Sequence, residues 1–176
     1  MNAPLSALVV MGVSGCGKSS VGAQIAFKSG GRLIEGDAFH PAANIEKMSA
    51  GIPLDDHDRA GWLERLGVEM QACIAEDERA VLTCSALKRA YRDKLRAAVP
   101  GLGFIFLELT REEAARRVAN RPGHFMPASL IDSQFATLEP PTGEALTLTL
   151  DAAAPIGQLA EEVDSWLKLQ GASTLA

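Results

Sequence analysis

A phosphate-binding motif lies near the start of the chain. Residues 12–19 read Gly-Val-Ser-Gly-Cys-Gly-Lys-Ser, which fits the spacing G-x-x-x-x-G-K-[ST]. Glycine lets the backbone wrap closely with its N–H groups facing inward, and such groups at a helix N-terminus bind phosphate. The pattern predicts a site for ATP and Mg²⁺, in which Lys18 reaches the β- and γ-phosphates and the Ser19 hydroxyl binds the metal. The predicted nucleotide-binding residues of this loop are Gly12, Gly15, Cys16, Gly17, Lys18, Ser19 and Ser20.

Other polar residues could complete a phosphoryl-transfer site. Asp37 follows the second apolar run, and Gly36 before it allows a close approach. A carboxylate there could orient or deprotonate an alcohol, although Asp37 could equally be a cap or turn residue. Arg117 and Arg121 share a helical face with a four-residue spacing, and with Arg116 they could neutralise charge on the transferred group. Surface solvation is the alternative for each arginine.

The elements that must position these residues follow from periodicity. Short apolar runs alternate with segments of helical period, such as those around Trp62 and Trp166. This pattern predicts an α/β fold with a mainly parallel sheet. Ligands of such sheets bind outside the carboxyl ends of the strands, so residues that follow different strands should converge on one crevice. The predicted strands are Ala7–Met11, Arg32–Ile34, Ala80–Cys84, Gly103–Leu107 and Leu146–Leu150.

Two stretches interrupt the alternation in what we expect to be one domain of 176 residues. The stretch of about 36–60 is rich in charges and contains Pro41, Gly51 and Pro53, and we predict that it binds substrate. The stretch of about 120–141 contains four prolines and Gly123 and is predicted to be a lid.

Composition narrows the function classes. A net charge of -5 argues against a nucleic-acid partner, and the basic residues between Lys88 and Arg121 are interpreted as a solvated helix face. No apolar run is long enough to span a membrane, so no membrane partner is expected. Three cysteines without paired spacing favour reduced thiols and a cytoplasmic location.

The kind of P-loop protein can also be narrowed. The strand that ends near Cys84 is followed by Ser-Ala-Leu rather than by the acidic residue that motor-type ATPases place there. Residues 58–61 spell the D-x-x-G of GTPases but follow no hydrophobic strand, so we interpret the match as chance. Small-molecule and nucleotide kinases remain, together with a non-enzymatic alternative, a nucleotide-binding regulatory module.

Several collinear blocks then resemble one kinase family. The stretch from Glu35 to Met48, the stretch from Gly51 to Leu63, Cys84–Asp93 and the blocks around Gly123–Met126 and Ser133–Pro141 are similar to gluconate kinases. The resemblance runs from about Leu8 to Leu167. Other small-molecule kinases on the same fold, such as shikimate kinases or antibiotic phosphotransferases, are the alternatives. A shikimate kinase would show a glycine-rich turn where Ser85-Ala86-Leu87-Lys88 stands.

The resemblance implies transfer of the ATP γ-phosphoryl group to the 6-hydroxyl of D-gluconate by a homodimer. It implies a nucleoside-monophosphate-kinase-like fold with a five-stranded parallel sheet flanked by helices and a lid insertion. Lys18, Asp37 and Arg121 would be catalytic, and Arg117 and Arg121 would face the phosphates or adenine. The residues implied to hold gluconate are Asp37, His40, Arg59, Lys88, His124 and Gln134.

The chain departs from the family pattern at two positions. Gly61 stands where we expect a proline as the first helical residue before Trp62. Pro122 stands where a basic or polar residue is expected in the lid.

Overall fold

Five apolar runs form one parallel sheet with the strand order β2-β3-β1-β4-β5 in a computed structural model, which describes residues 5–120 and 128–175. Each predicted strand is confirmed to within one residue at either end. All residues of β1 and β3 are buried, as parallel strands covered on both faces require. The strands are β1 Ala7–Met11, β2 Arg32–Glu35, β3 Ala80–Thr83, β4 Gly103–Glu108 and β5 Thr147–Asp151.

Helices pack on both faces of the sheet and bury separate apolar clusters. On one face Leu66 and Met70 of α3 pack with Leu95 of α4. On the other face Ile25 of α1 packs with Val163 of α7. The helices are α1 Lys18–Ser29, α2 Ala42–Ser49, α3 Asp56–Ala75, α4 Arg89–Ala98, α5 Arg111–Ala119, α6 Ala128–Thr137 and α7 Ile156–Leu175. Within the described ranges, no helix has the length and apolar character needed to cross a bilayer.

The start of α3 differs from the sequence expectation. The helix begins at Asp56 rather than next to Gly61, so the expectation of a helix start there was wrong. The reason is a capping box, in which the Asp55 side chain accepts from the Asp58 N–H and the Asp58 carboxylate accepts from the Asp55 N–H. Asp58 of the D-x-x-G stretch also pairs with Lys47 of α2 at 2.8 Å. Asp58 therefore caps α3 and links it to α2.

A buried charge network supports the loop that follows β3. The Arg92 side chain is fully buried, so the interpretation of this basic stretch as a solvated face was wrong for Arg92. Its guanidinium bonds Glu144 at 2.7 Å and donates to the carbonyls of Ala86 and Leu87 at 2.7 and 3.1 Å. Arg96 donates to the same carboxylate at 2.7 Å. Arg92 thus holds the backbone of residues 86 and 87 through their carbonyl groups.

Replacing Glu144 with Gln is expected to lower the free energy of unfolding by about 3 kcal/mol at pH 7, because a buried arginine would lose its counter-charge. Denaturant unfolding measures this difference. Asp93→Asn is the control, since Asp93 pairs with Arg96 from an exposed position and should change stability by less than about 0.5 kcal/mol. A Glu144→Gln effect no larger than that of the control would contradict the assigned role.

The effect of Glu144→Gln should also depend on pH. Burial by itself raises the pKa of Glu144, but hydrogen bonds from Arg92 and Arg96 outweigh it and hold the pKa below its usual range. A carboxyl group with a lowered pKa in the folded state stabilises that state above its unfolded pKa, near 4.5. This contribution is lost as the pH falls through the folded pKa. The difference between wild type and Glu144→Gln should therefore narrow in acid.

Candidate active site

The phosphate loop joins β1 to the N-terminus of α1 through a backbone turn that only glycine fits. Gly12 has a φ of 145°, and a Cβ there would lie 2.8 Å from both the Cys16 Sγ and the Leu107 carbonyl oxygen. Lys18 is the first residue of α1, and its ammonium group donates to the carbonyls of Gly12 and Val13 at 3.0 and 3.1 Å. The loop thus surrounds its own lysine. Phosphate oxygens would be stronger, charged acceptors for the same ammonium group.

The Ser19 hydroxyl meets an acidic residue from β2. Ser19 Oγ donates to Glu35 Oε2 at 2.9 Å, and Thr83 Oγ1 donates to the same oxygen at 2.9 Å. Glu35 was absent from the sequence-based candidates, which looked for an acid at the end of β3. The register of the parallel sheet pairs Glu35 with Thr83 and so brings a β2 carboxylate to that place. This group of hard oxygen donors fits a divalent cation such as Mg²⁺.

The turn after β2 brings Asp37 to the phosphate loop. The Gly36 N–H donates to Thr83 Oγ1 at 3.4 Å, and a Cβ on Gly36 would lie 2.3 Å from the Thr83 carbonyl oxygen. Only glycine allows this contact, and the contact places Asp37 just beyond the end of β2. The Asp37 side chain is 82% exposed and lines the cleft beside Lys18. Its carboxylate is therefore free to accept a hydrogen bond from a bound alcohol.

One cleft collects four of the six residues that the resemblance implies for gluconate binding, together with Lys18. Lys18 and Asp37, which follow β1 and β2, line it as the convergence of strand ends in a parallel sheet predicts. His40, Arg59 and Gln134, which the resemblance implies, line it as well. The other lining residues were not among the sequence-based candidates. They are Ser14, Met48, Leu54, Trp62, Leu63, Ser85, Ala86, Leu87 and Tyr91.

A cationic corner of the cleft is organised by Tyr91. Arg59 donates to the Tyr91 hydroxyl at 3.0 Å, and its guanidinium carbon lies 5.1 Å from the centre of the ring. The Tyr91 hydroxyl and the Lys88 ammonium both donate to Asp56 Oδ1, at 2.5 and 3.1 Å. These two bonds hold the pKa of Asp56 below its usual value. Arg59 lines the cleft, whereas the predicted residue Lys88 does not line it and is paired with Asp56.

His40 packs deep in the opposite wall. Its ring stacks on Trp62 with 4.0 Å between ring centroids, and the Trp62 indole donates to the Gly36 carbonyl at 2.8 Å. His40 Nε2 lies 3.7 Å from Asp37 Oδ1. Burial lowers the pKa of His40, the Asp37 carboxylate raises it and the Arg59 cation lowers it, and the net direction is downward. The ring is therefore neutral near pH 7.

Gln134 and Arg117 both contact the phosphate loop. The Gln134 amide of α6 accepts from the Ser14 N–H at 2.7 Å and donates to Ser14 Oγ at 3.0 Å. Arg117 of α5 donates to the carbonyls of Gly15 and Ala152 at 3.2 Å each. Arg117 thus lies between the phosphate loop and the end of β5. The predicted residues Arg121 and His124, and Pro122 between them, lie outside the described residues.

Comparison with known proteins identifies relatives over most of the chain. Residues 8–141 match the family model of an AAA domain. The chain is 51% identical over 134 residues to the gluconokinase of Gluconobacter oxydans strain 621H, covering 76% of this chain and 75% of that protein. The crystal structure of a gluconokinase from Sinorhizobium meliloti 1021 superposes with a TM-score of 0.80 at 50% identity, over 91% of this chain and 90% of the other. An unliganded sugar kinase from Janibacter sp. HTCC2649 gives a TM-score of 0.88 at 44% identity, over 94% and 95%.

Proposed function

Since this chain belongs to the gluconokinase family, we propose that it transfers the γ-phosphoryl group of ATP to the 6-hydroxyl of D-gluconate. The products are 6-phospho-D-gluconate and ADP. The observation that carries the proposal is the convergence of Lys18, Asp37 and Arg59 on one cleft. These residues supply a cation for the phosphates, a carboxylate for the acceptor hydroxyl and a cation for the acceptor carboxylate.

The distribution of charge in the cleft suits this acceptor. Gluconate carries its reacting hydroxyl at one end and a carboxylate at the other. Asp37 adjoins the phosphate loop, accepts a hydrogen bond from the hydroxyl and aligns its oxygen for in-line attack. Arg59 binds the carboxylate with parallel N–H groups, and the polar tips of His40 and Gln134 bond the intervening hydroxyls. Lys88 supplies a second cation beside Tyr91 once Asp56 releases it.

Mg²⁺ fits beside the phosphate loop. Ser19 would hold the ion, and Glu35, whose Oε2 lies 2.9 Å from Ser19 Oγ, would add a second oxygen group beside it. The ion, when bound, neutralises charge on the β- and γ-phosphates.

Arg117 and Arg121 contribute further positive charge near the nucleotide, and Arg121 and His124 belong to a lid of about 120–141. Helix α6 is part of this segment, and its Gln134 contacts Ser14 of the phosphate loop.

ADP release tests the proposal. Purified protein with ATP and Mg²⁺ should release ADP rapidly on addition of D-gluconate and slowly without it, and shikimate should not substitute. Lys18→Ala protein, purified in parallel, controls for a contaminating kinase. Equal ADP release with and without gluconate, or release driven by another acceptor, would overturn the assignment.

Replacing Arg59 with Ala is expected to raise the KM for gluconate by about 10- to 100-fold, the loss of one charge-assisted pair, with kcat within a few-fold. Steady-state kinetics at saturating ATP measures both constants. Arg65→Ala is the matched control on α3, because Arg65 pairs with Glu69 on the surface and should leave KM unchanged. Lys88→Ala should raise KM less than Arg59→Ala does.

A neutral polyol of the same length is the control acceptor for Arg59→Ala. It lacks the carboxylate and should lose much less from the substitution than gluconate does. Equal losses for both acceptors would show that Arg59 does not bind the carboxylate.

We also propose that the protein is a cytoplasmic homodimer. Two large apolar side chains, Phe27 of α1 and Leu169 of α7, are 85% and 66% exposed on helices that pack together. Burial of such a surface against a second copy would remove it from water. The cytoplasmic location agrees with use of ATP and with the three free cysteine thiols. Light scattering tests the proposed dimer and should give twice the mass of one chain for the wild type. Phe27→Glu should convert the dimer to a monomer. A monomeric wild type would refute the proposed dimer.

A further inference from the structure

Asn44 is one of the few polar side chains in the described ranges that are almost fully buried, with 3% of its surface exposed. It lies on α2 and reaches two neighbours with the same atom. Its Nδ2 donates to the Asp58 carbonyl oxygen at 3.0 Å and lies 3.2 Å from His40 Nδ1. A carbonyl oxygen only accepts hydrogen bonds, so the Asp58 contact fixes which end of the amide is the NH₂ group.

The second amide hydrogen determines the tautomer of His40. With one hydrogen on the Asp58 carbonyl, the other faces His40 Nδ1, which must then accept and carry no proton. The ring proton therefore resides on Nε2, the nitrogen that lies 3.7 Å from Asp37 Oδ1. Charged groups around the ring are Asp37, on the side of Nε2, and Arg59 across the cleft.

We propose that Asn44 is a positioning residue that holds His40 as the neutral Nε2–H tautomer, aimed at Asp37 and at the hydroxyls next to the acceptor hydroxyl. The inference rests on the proposed function for the identity of the acceptor. In this tautomer His40 donates a hydrogen bond and cannot remove the hydroxyl proton. That proton passes to Asp37 as the acceptor oxygen bonds to the γ-phosphorus and the bond to the β,γ-bridging oxygen breaks, releasing ADP.

The opposite assignment, with His40 as base, conflicts with the contacts. An unprotonated Nε2 in a neutral ring requires a proton on Nδ1, which would point at the Asn44 NH₂ group. Two donors would then face each other in a buried position, while the Asp58 carbonyl prevents the amide from turning without losing its own bond. Stacking on Trp62 keeps the ring plane fixed.

The tautomer can be read directly in the free wild-type protein by ¹H–¹⁵N correlation through the two-bond couplings of the imidazole rings. The chain has three histidines, so a His40→Gln spectrum identifies the signals of His40. We expect an unprotonated Nδ1 and a protonated Nε2 at pH 7.5. A protonated Nδ1 would overturn the proposal. Neither nucleotide nor gluconate is needed, so this result leaves the proposed function untouched either way.

Two substitutions of similar size separate positioning from packing. Asn44→Leu removes the donor, and Asn44→Asp replaces it with a group that only accepts and so draws a proton to Nδ1. The kcat for gluconate should fall about 10-fold or more in Asn44→Asp and by less in Asn44→Leu, with the KM for ATP within about two-fold. The proposal would be overturned if both variants lost kcat to the same extent, in proportion to their loss of thermal stability, while the tautomer of His40 stayed unchanged. If neither variant folds, the wild-type spectrum decides alone.

Discussion

Replacing Lys18 with Ala should lower kcat by about 10²- to 10³-fold at saturating ATP and gluconate, the usual loss when a preorganised charge partner is removed. Lys18 is the first residue of α1, and its ammonium group already lies inside the phosphate loop, 3.0 Å from the Gly12 carbonyl oxygen. Bound nucleotide would replace those carbonyls with phosphate oxygens. The cation would then stabilise negative charge that grows on the β,γ-bridge as the bond breaks.

The matched control for Lys18→Ala is Lys28→Ala, in the last turn of the same helix. It removes the same side chain from the opposite end of α1 and should leave kcat within two-fold. Thermal unfolding of both variants should be similar to wild type, because Lys18 bonds only atoms of its own loop in the contacts described above. A kcat for Lys18→Ala within ten-fold of wild type would refute the assignment of the phosphate site.

The second large effect is expected at Asp37. Asp37→Asn keeps the shape of the side chain and removes its charge, and kcat should fall by about 10²-fold or more, the usual scale for a positioned base. The KM for ATP should stay within a few-fold, since Asp37 stands on the acceptor side of the loop. Stability should change little, because the carboxylate is 82% exposed.

Asp93→Asn again serves as the control, because this exposed carboxylate on α4 pairs only with arginines of its own helix in the described contacts. Its kcat should equal that of wild type. Near-normal turnover in Asp37→Asn would mean that Asp37 is a turn residue, and the acceptor hydroxyl would then need another partner.

The parts of the fold that sequence predicts well are those dictated by local patterns. Strands such as β1 and β3 are continuous apolar runs, and their ends are marked by the first polar or turn residue. The phosphate loop has a spacing that few other structures need. Lys18 and Asp37 could be placed in one crevice because a parallel sheet gathers its strand ends at one edge, whereas Arg59 of α3 could be placed there only through the family resemblance.

The features that sequence did not predict depend on distant partners. Arg92 has the sequence appearance of a solvated residue, and only Glu144, 52 residues further on, explains its burial. Glu35 looks like an ordinary strand end until the register sets it beside Thr83. The start of α3 was misplaced for a different reason, because the capping box of Asp55 and Asp58 was overlooked in favour of Gly61.

The contact of Gly36 with the Thr83 carbonyl has a consequence for how this scaffold diversifies. It ties Glu35, proposed to serve the metal, and Asp37, proposed to serve the acceptor oxygen, to a single rigid strand end, where any side chain in place of glycine would collide. Another part of the wall, with His40, Met48 and Arg59, is built by side chains of the segment that carries α2 and the start of α3. Laboratory evolution toward other polyhydroxy acids should therefore accumulate substitutions in that segment, while residues 35–37 stay unchanged in every active descendant.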